Sequence, residues 1–409
     1  MKHFIFSFTL LILLFSCKSD KKTETPNKAT NSVLTTVDLP FNENASLPRL
    51  FSNNKDLFFS WVEQPDSLAI LKYAVLENGA WGTSEEIISG TDWFVNWADF
   101  PAIAESNGNI LTNFLQKSDN GTYTYDVKLN LFNSEENTWK KNFILHSDGT
   151  KSEHGFVSMQ PYVANSFVVT WLDGRETVGK EHGGGQMTLR AAIVFEDGSI
   201  DHDTLLDEKV CDCCQTATAI GANDQIIVAY RDRSDDEIRD ISIVNWQHDK
   251  GWSEPQTIGD DNWKIPGCPV NGPSLATLDD SVAVAWFTSE GENPRVEVAF
   301  SEDNATTFGS AVRIDAGNAI GRVDLVMLNF TEAAVLWMES QGEDTVIQLQ
   351  KVSQLGLLNE PITISRTSPK RASGFPQMEL LNDKLYISWT DVSDKTSIIK
   401  MVSVLVESL

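Results

Sequence analysis

Positive charge is scarce in this chain. Its 409 residues carry 32 Lys and Arg against 58 Asp and Glu, a formal net charge of -26. A surface of that sign repels phosphate backbones and anionic headgroups, which sets aside nucleic acid as a partner and charge-driven docking on lipid. Sustained 3.6-residue hydrophobic periodicity is nearly missing, so helices are expected to be few. Beyond the first residues no run of 18 uncharged apolar side chains occurs, and no second stretch is long enough for a helical membrane span. Neither a P-loop nor an EF-type calcium spacing is present; Asp232, Asp235 and Asp236 form a solvated acidic loop. Cysteine is limited to five residues and histidine to six. Disorder is excluded as well, since 41% of the residues are hydrophobic and 12 are Trp.

A targeting segment opens the chain. Lys2 and His3 precede an apolar run from Phe4 to Phe15, the length of a signal-peptide core. The run ends in Leu14-Phe15-Ser16-Cys17, which resembles the lipobox of bacterial lipoproteins. The resemblance implies a signal peptide over 1–16, a lipidated Cys17, and a polar tether over 17–34. The expected location is the oxidising envelope of a Gram-negative cell, anchored on the outer membrane by lipid, facing either the periplasm or the surface.

One pattern then recurs: a β-branched or apolar run, an aromatic, and often an acid. The copies are LFFSWVE, ILTNFLQ, FVVTWLD, IIVAYRD, VAVAWFT, AAVLWME and LYISWTD. Their aromatics are Trp61, Phe114, Trp171, Tyr230, Trp286, Trp337 and Trp389, spaced by 51 to 59 residues. Short strands at that period describe β-propeller blades. The sequence predicts an all-β single propeller over 35–409 with seven four-stranded blades, six being the alternative. The last unit runs out after its third strand, and the segment 33–39 is expected to supply the fourth and close the ring.

Ser301-Glu302-Asp303-Asn304-Ala305-Thr306-Thr307-Phe308 resembles the Asp-box turn of sialidase-like (BNR) propellers, with Ala305 for the usual Gly and Phe308 for the usual Trp. Longer stretches, DWFVNWADFP, EHGFVS, HGGGQMTLRAA, VCDCCQT, YRDRSDDEIRD and NWKIPGCPVNGP, resemble a family of uncharacterised bacterial envelope lipoproteins of that superfamily. That resemblance implies a shared site without an assigned activity.

These stretches fall in loops that enter inner strands or join second to third strands, so they are expected on one face near the axis. Cys211, Cys213, Cys214 and Cys268 come from neighbouring blades. In an oxidising compartment they read as two disulfides, as a Cu(I) or Zn(II) site, or as a redox-active vicinal pair. His154, His182 and Met187 are expected to add ligands. Arg175, Arg231, Arg233, Arg239, Arg295 and Arg322 are candidates to clamp a carboxylate. Asp99, Asp173, Asp232, Glu237 and Asp324 are the facing carboxylates. Trp93, Trp97 and Trp263 stand outside the repeat and read as sugar platforms or channel plugs.

Three functions are compatible with these residues: a ligand- or metal-binding lipoprotein, an exo-acting sialidase-like glycosidase on acidic sugars, or a disulfide-stapled interaction platform. The expected partners are a membrane through Cys17 and a glycan, small ligand, or copper or zinc ion, on a monomeric chain. A sialidase site requires three Arg, a Tyr–Glu nucleophile pair and an Asp acid.

Overall fold

The computed structural model describes Met1 and residues 33–41, 44–180, 185–392 and 396–409. Residues Leu34–Leu409 form one unit, whose regular elements are β-strands and short 3-10 turns. Cys17, His182 and residues 2–16 of the expected signal peptide lie outside the described residues.

Seven antiparallel sheets succeed one another along the chain: blade one at 45–90, two at 103–144, three at 154–210, four at 217–258, five at 274–313, six at 319–367 and seven at 377–405. In blades one, four and six the outer strand is broken into two pieces on the same partner. Inner strands of successive blades abut in order, and Gln377–Leu381 returns to Ala45–Ser52, so the ring is closed. Blade seven takes its fourth strand from the opposite end of the domain. Leu34–Thr36 pairs antiparallel with Ser397–Leu405, Thr35 opposite Ser403. That pairing covers an edge that would otherwise template association.

The repeated aromatics are core residues, Trp61, Trp171 and Trp286 being fully buried. The acid that comes after them has a physical cause. A buried indole N–H needs an acceptor, and two residues on along a strand lies on the same face. Trp61 donates to Glu63 (3.1 Å), Trp171 to Asp173 (2.9 Å) and Trp337 to Glu339 (3.0 Å). Where Thr288 replaces the acid, Trp286 donates to Asp261 instead (2.7 Å).

The 301–308 turn folds around Asp303, which accepts from the Thr306 and Thr307 amides (3.1 and 2.8 Å) and the Thr307 hydroxyl (2.7 Å). Ala305 takes the left-handed conformation of the usual glycine, at φ 60.

Three inner strands carry a bulge at a left-handed, non-glycine residue: Leu47 (φ 56), Phe156 (φ 54) and Arg322 (φ 53). An extra residue bends the strand and re-aims the side chains beyond it. Arg49, Ser158 and Asp324, the residues that resume the ladder, line a central cavity of about 110 Å³.

Candidate functional site

The loops singled out by composition gather above that cavity. The loop 211–216 leads into the inner strand of blade four and is pinned by its neighbour: the Cys211 amide donates to Arg231 O (3.0 Å), and Val210 bridges Asp232. The loop 262–273 leads into blade five. Asp240 accepts from the Asn262 and Trp263 amides (2.8 and 2.9 Å), which fixes the start of that loop. Gln215 ties three loops together, donating to Ala98 O (2.5 Å) and accepting from the Gly272 amide (3.1 Å). A Cβ on Gly272 would stand 2.0 Å from Gln215 O, so glycine is required there.

The cysteines meet as thiols. All four are unbridged, which corrects the expectation of two disulfide staples. Cys211 Sγ lies 3.5 Å from Cys214 Sγ and 4.0 Å from Cys213 Sγ, well beyond the roughly 2.05 Å of a bond. The three sulfurs lie within 4.8 Å of one another. Cys211 and Cys214 are buried, Cys213 half-buried and Cys268 exposed. Arg239 Nη1 donates to Cys211 Sγ (3.2 Å). Hydrogen bonds from Cys213 and Cys214, together with Arg239 and Arg231, hold the Cys211 thiol well below its ordinary value. Cys213 and Cys214 are pushed up, so Cys211 is the first thiolate of the cluster.

His154 does not join these sulfurs. It stacks on His146, ring centroids 3.6 Å apart and planes 6° apart, between blades two and three. Its Nδ1 faces Tyr125 O (3.3 Å), and its Nε2 lies 3.4 Å from Asp148 and 3.7 Å from Asp173. His146 Nδ1 contacts Asp148 Oδ1 (2.7 Å), and its Nε2 lies 3.8 Å from Asp126. Burial, and then His154, hold the His146 imidazole below its usual value. Met187 lies in a buried cluster against which Cys213 packs. It is buried in the blade-three core, opposite Val210.

Beside the thiols stands an acid–tyrosine group. Tyr125 OH donates to Glu153 (2.7 Å) and lies 3.2 Å from Asp99 Oδ2. The other Asp99 oxygen accepts from the Phe156 amide (2.7 Å), fixing that strained residue. Burial pushes Asp99 up to about 7 and Glu153 up to about 8. The Glu153 site also feels the charges of Asp212 and Cys268, which places it next to the thiol loop.

The arginines expected as a clamp all make contacts within the protein, although the buried Nε of Arg239 has no partner. Arg231 donates to Asn271 O, Arg239 O and Phe287 O (2.8, 2.6 and 2.6 Å). Arg322 donates to Gly374 O and Ser373 Oγ (both 2.8 Å). Arg233 pairs with Glu237 and Asp212, Arg239 with Glu237, Arg175 with Asp173, and Arg295 with Asp261 and Glu297. Of the facing carboxylates, Asp232 accepts from Ser242 (2.8 Å), and Asp324 accepts from Ser274 and the Met378 amide.

The loop tryptophans differ among themselves. Trp93 is buried on Phe114 (4.4 Å), and Trp263 is buried under the Arg231 guanidinium (5.1 Å), so both are packing residues. Of the three, Trp97 alone is only half-buried; it stacks on Phe375 (5.8 Å) with Arg322 at 4.8 Å and Arg371 at 6.0 Å from its ring.

No protein-family model and no curated protein matches this chain. Among solved structures, an ulvan lyase of polysaccharide lyase family 25 superposes with a TM-score of 0.57 at 12% identity, over 91% of this chain and 96% of that one. Its similarity is in the propeller fold. The polysaccharide lyase Uly1 matches with a TM-score of 0.51 at 10% identity, over 94% of each chain. The NanB sialidase of Streptococcus pneumoniae matches with a TM-score of 0.44 at 11% identity, over 92% of this chain and 71% of that one.

Tyr125, Glu153, His146, Asp126 and Asp148 were not singled out by the sequence as site residues. Their one visible signal is proximity: His146 and Asp148 precede Glu153 and His154 within nine residues of a chain that has six histidines.

Proposed function

We propose that this chain is an envelope lipoprotein, anchored to the outer membrane through Cys17, whose propeller binds one soft metal ion, Cu(I) or Zn(II). The ligands are Cys211, Cys213 and Cys214, with Cys268 reaching in from the neighbouring loop. The observation that carries this reading is the convergence of three unbridged sulfurs within 4.8 Å of one another. A metal–sulfur length of about 2.3 Å sets tetrahedral sulfurs about 3.8 Å apart. The distances here, 3.5 and 4.0 Å, bracket that value. Thiolates select these ions over hard cations, and the Arg239 contact favours the thiolate form of Cys211. The test is Cys211→Ser together with Cys214→Ser in the full chain. Each is expected to weaken metal binding by roughly 100-fold or more, and unchanged affinity in both would overturn the proposal.

A second reading, glycan processing, is supported by one observation: the Tyr125–Glu153 pair with Asp99 beside it meets part of what a sialidase-like site requires. The ulvan lyase and Uly1 are polysaccharide lyases that superpose with TM-scores above 0.5, and at this identity only their fold bears on the chain. Tyr125 is buried, stacked under Phe94 at 4.2 Å, and the arginines are engaged, so the metal reading is preferred. Cleavage of an acidic polysaccharide that is lost in Tyr125→Phe would reverse that preference.

A further inference from the structure

We infer that the end of blades five to seven opposite the thiol loops is a lipid-docking surface, whose exposed leucine and phenylalanine turns insert into the membrane interface. This surface depends on the lipid anchor of the proposed function and not on the metal.

Exposed apolar side chains concentrate at two turns of blade six. Residues 329–332 join its first strand to its second, and residues 353–356 join its third to its outer strand. Glu332 stands opposite Ser353 in the sheet, so the two turns are neighbours. Leu355 is 93% exposed, Phe330 55%, Leu357 50% and Leu358 44%. Single apolar residues scattered over a surface are ordinary, whereas four of this size at adjoining turns form a patch. No residue in 329–331 or 353–359 is charged. The patch extends to both neighbouring blades. Gln354 donates to Glu302 (2.7 Å) in the blade-five turn 301–308, and the Asn304 amide of that turn donates to Asp280 O (2.8 Å), close to the exposed Leu278. In blade seven the exposed Leu405 ends the third strand.

The chain joins the propeller at this same end. Leu34 pairs with Val404, and Leu405 pairs with Lys384, the residue that follows the first turn of blade seven. Leu34 and Val406 pack against the apolar cluster that also receives Leu328, next to the Phe330 turn. Cys17 stands 17 residues before Leu34, a length of at most about 60 Å even when fully extended. A lipid on Cys17 therefore confines this end near the bilayer, where a weak insertion is enough to dock it. A net charge of -26 gives no attraction to anionic headgroups, so contact with lipid has to be apolar. Turn tips are convex, and a fluid interface moulds around them where a protein partner would need a matching cleft. The loops that carry Cys211, Cys213, Cys214 and Cys268 lead into inner strands at the opposite end, so docking leaves the thiols facing away from the membrane.

The experiment uses the full chain, isolated from membranes and reconstituted in uncharged phosphatidylcholine vesicles, with p-benzoylphenylalanine in place of Phe330, Leu355 or Val178. Val178 is 49% exposed and lies between the second and third strands of blade three, at the thiol end. Irradiation is expected to couple lipid at 330 and 355 roughly 10-fold or more above 178. Coupling at 178 that matches theirs, no coupling at any of the three, or coupling to a second copy of the chain overturns docking and leaves the anchor standing. The mass of the N-terminal peptide reports the anchor separately. If Cys17 carries no lipid, the anchor reading falls, and flotation of the same chain with the vesicles decides the surface. Binding that Phe330→Glu together with Leu355→Glu weakens by roughly 10-fold or more supports it. Binding indifferent to that pair of changes, or no binding, overturns it.

Discussion

Arg231 has nothing left to offer a ligand. It is 1% exposed, and its guanidinium feeds three backbone carbonyls from two neighbouring loops and a blade-five strand. Arg231→Ala should leave three buried acceptors unsatisfied and cost about 3–5 kcal/mol by urea denaturation. A loss under about 1 kcal/mol would mean the loops hold without it. Glu379 makes a different prediction. Burial, and then the charge of Asp324, push its carboxyl up to about 8 from an ordinary 4.5. Between those values the folded chain keeps a proton that the unfolded chain has lost, so stability falls as pH rises through the window. Glu379→Gln remains neutral throughout. Its melting temperature should fall less than that of the unaltered chain between pH 4.5 and 8, by roughly 2–4 °C. Parallel pH profiles for the two proteins would contradict this. At this scale the sequence was a partial guide. The cysteine cluster was visible because its members are close in the chain and in a compartment-sensitive residue type. The fate of Arg231 was not, because its acceptors lie 8 to 56 residues away in backbone that carries no sequence mark.

Strands carried a clearer record. Seven buried aromatics fixed the second strand of every blade, and the acid two residues on reported an indole bond rather than a catalytic carboxylate. Trp93 and Trp263, read as sugar platforms or channel plugs, are both buried. They sit in loops by sequence, yet loops over a closed ring pack on one another, and burial there comes from contacts with Phe114 and Phe287. The closing strand was legible because the last unit lacked a partner and a stray β-rich segment preceded the first. Leu34–Thr36 makes the pairing, extended by Val37 N–H to Met401 O (3.0 Å). Removal of residues 1–38 should expose the Ser397–Leu405 edge, lower the melting temperature by roughly 5 °C and promote self-association at high concentration. A monomeric truncated chain of unchanged melting temperature would show that blade seven closes without it.

The whole ring brings residues together that no spacing in the chain could pair. Gln215 meets Ala98 across 117 residues, and Tyr125 meets Glu153 across 28. The period predicted the blade number and so the face on which these loops converge. It could not say that the arginines would turn inward while the sulfurs remain unbridged. The central claim is that those sulfurs hold a metal. The direct measurement is metal content and titratable thiol on one sample of the full chain, produced in an oxidising periplasm and purified without chelator. The account predicts stoichiometric copper or zinc bound by sulfur, with the four cysteines recovered as thiols once the metal is removed under denaturing conditions. A metal-free protein with no titratable thiol would contradict it and return the cysteines to disulfide bonds.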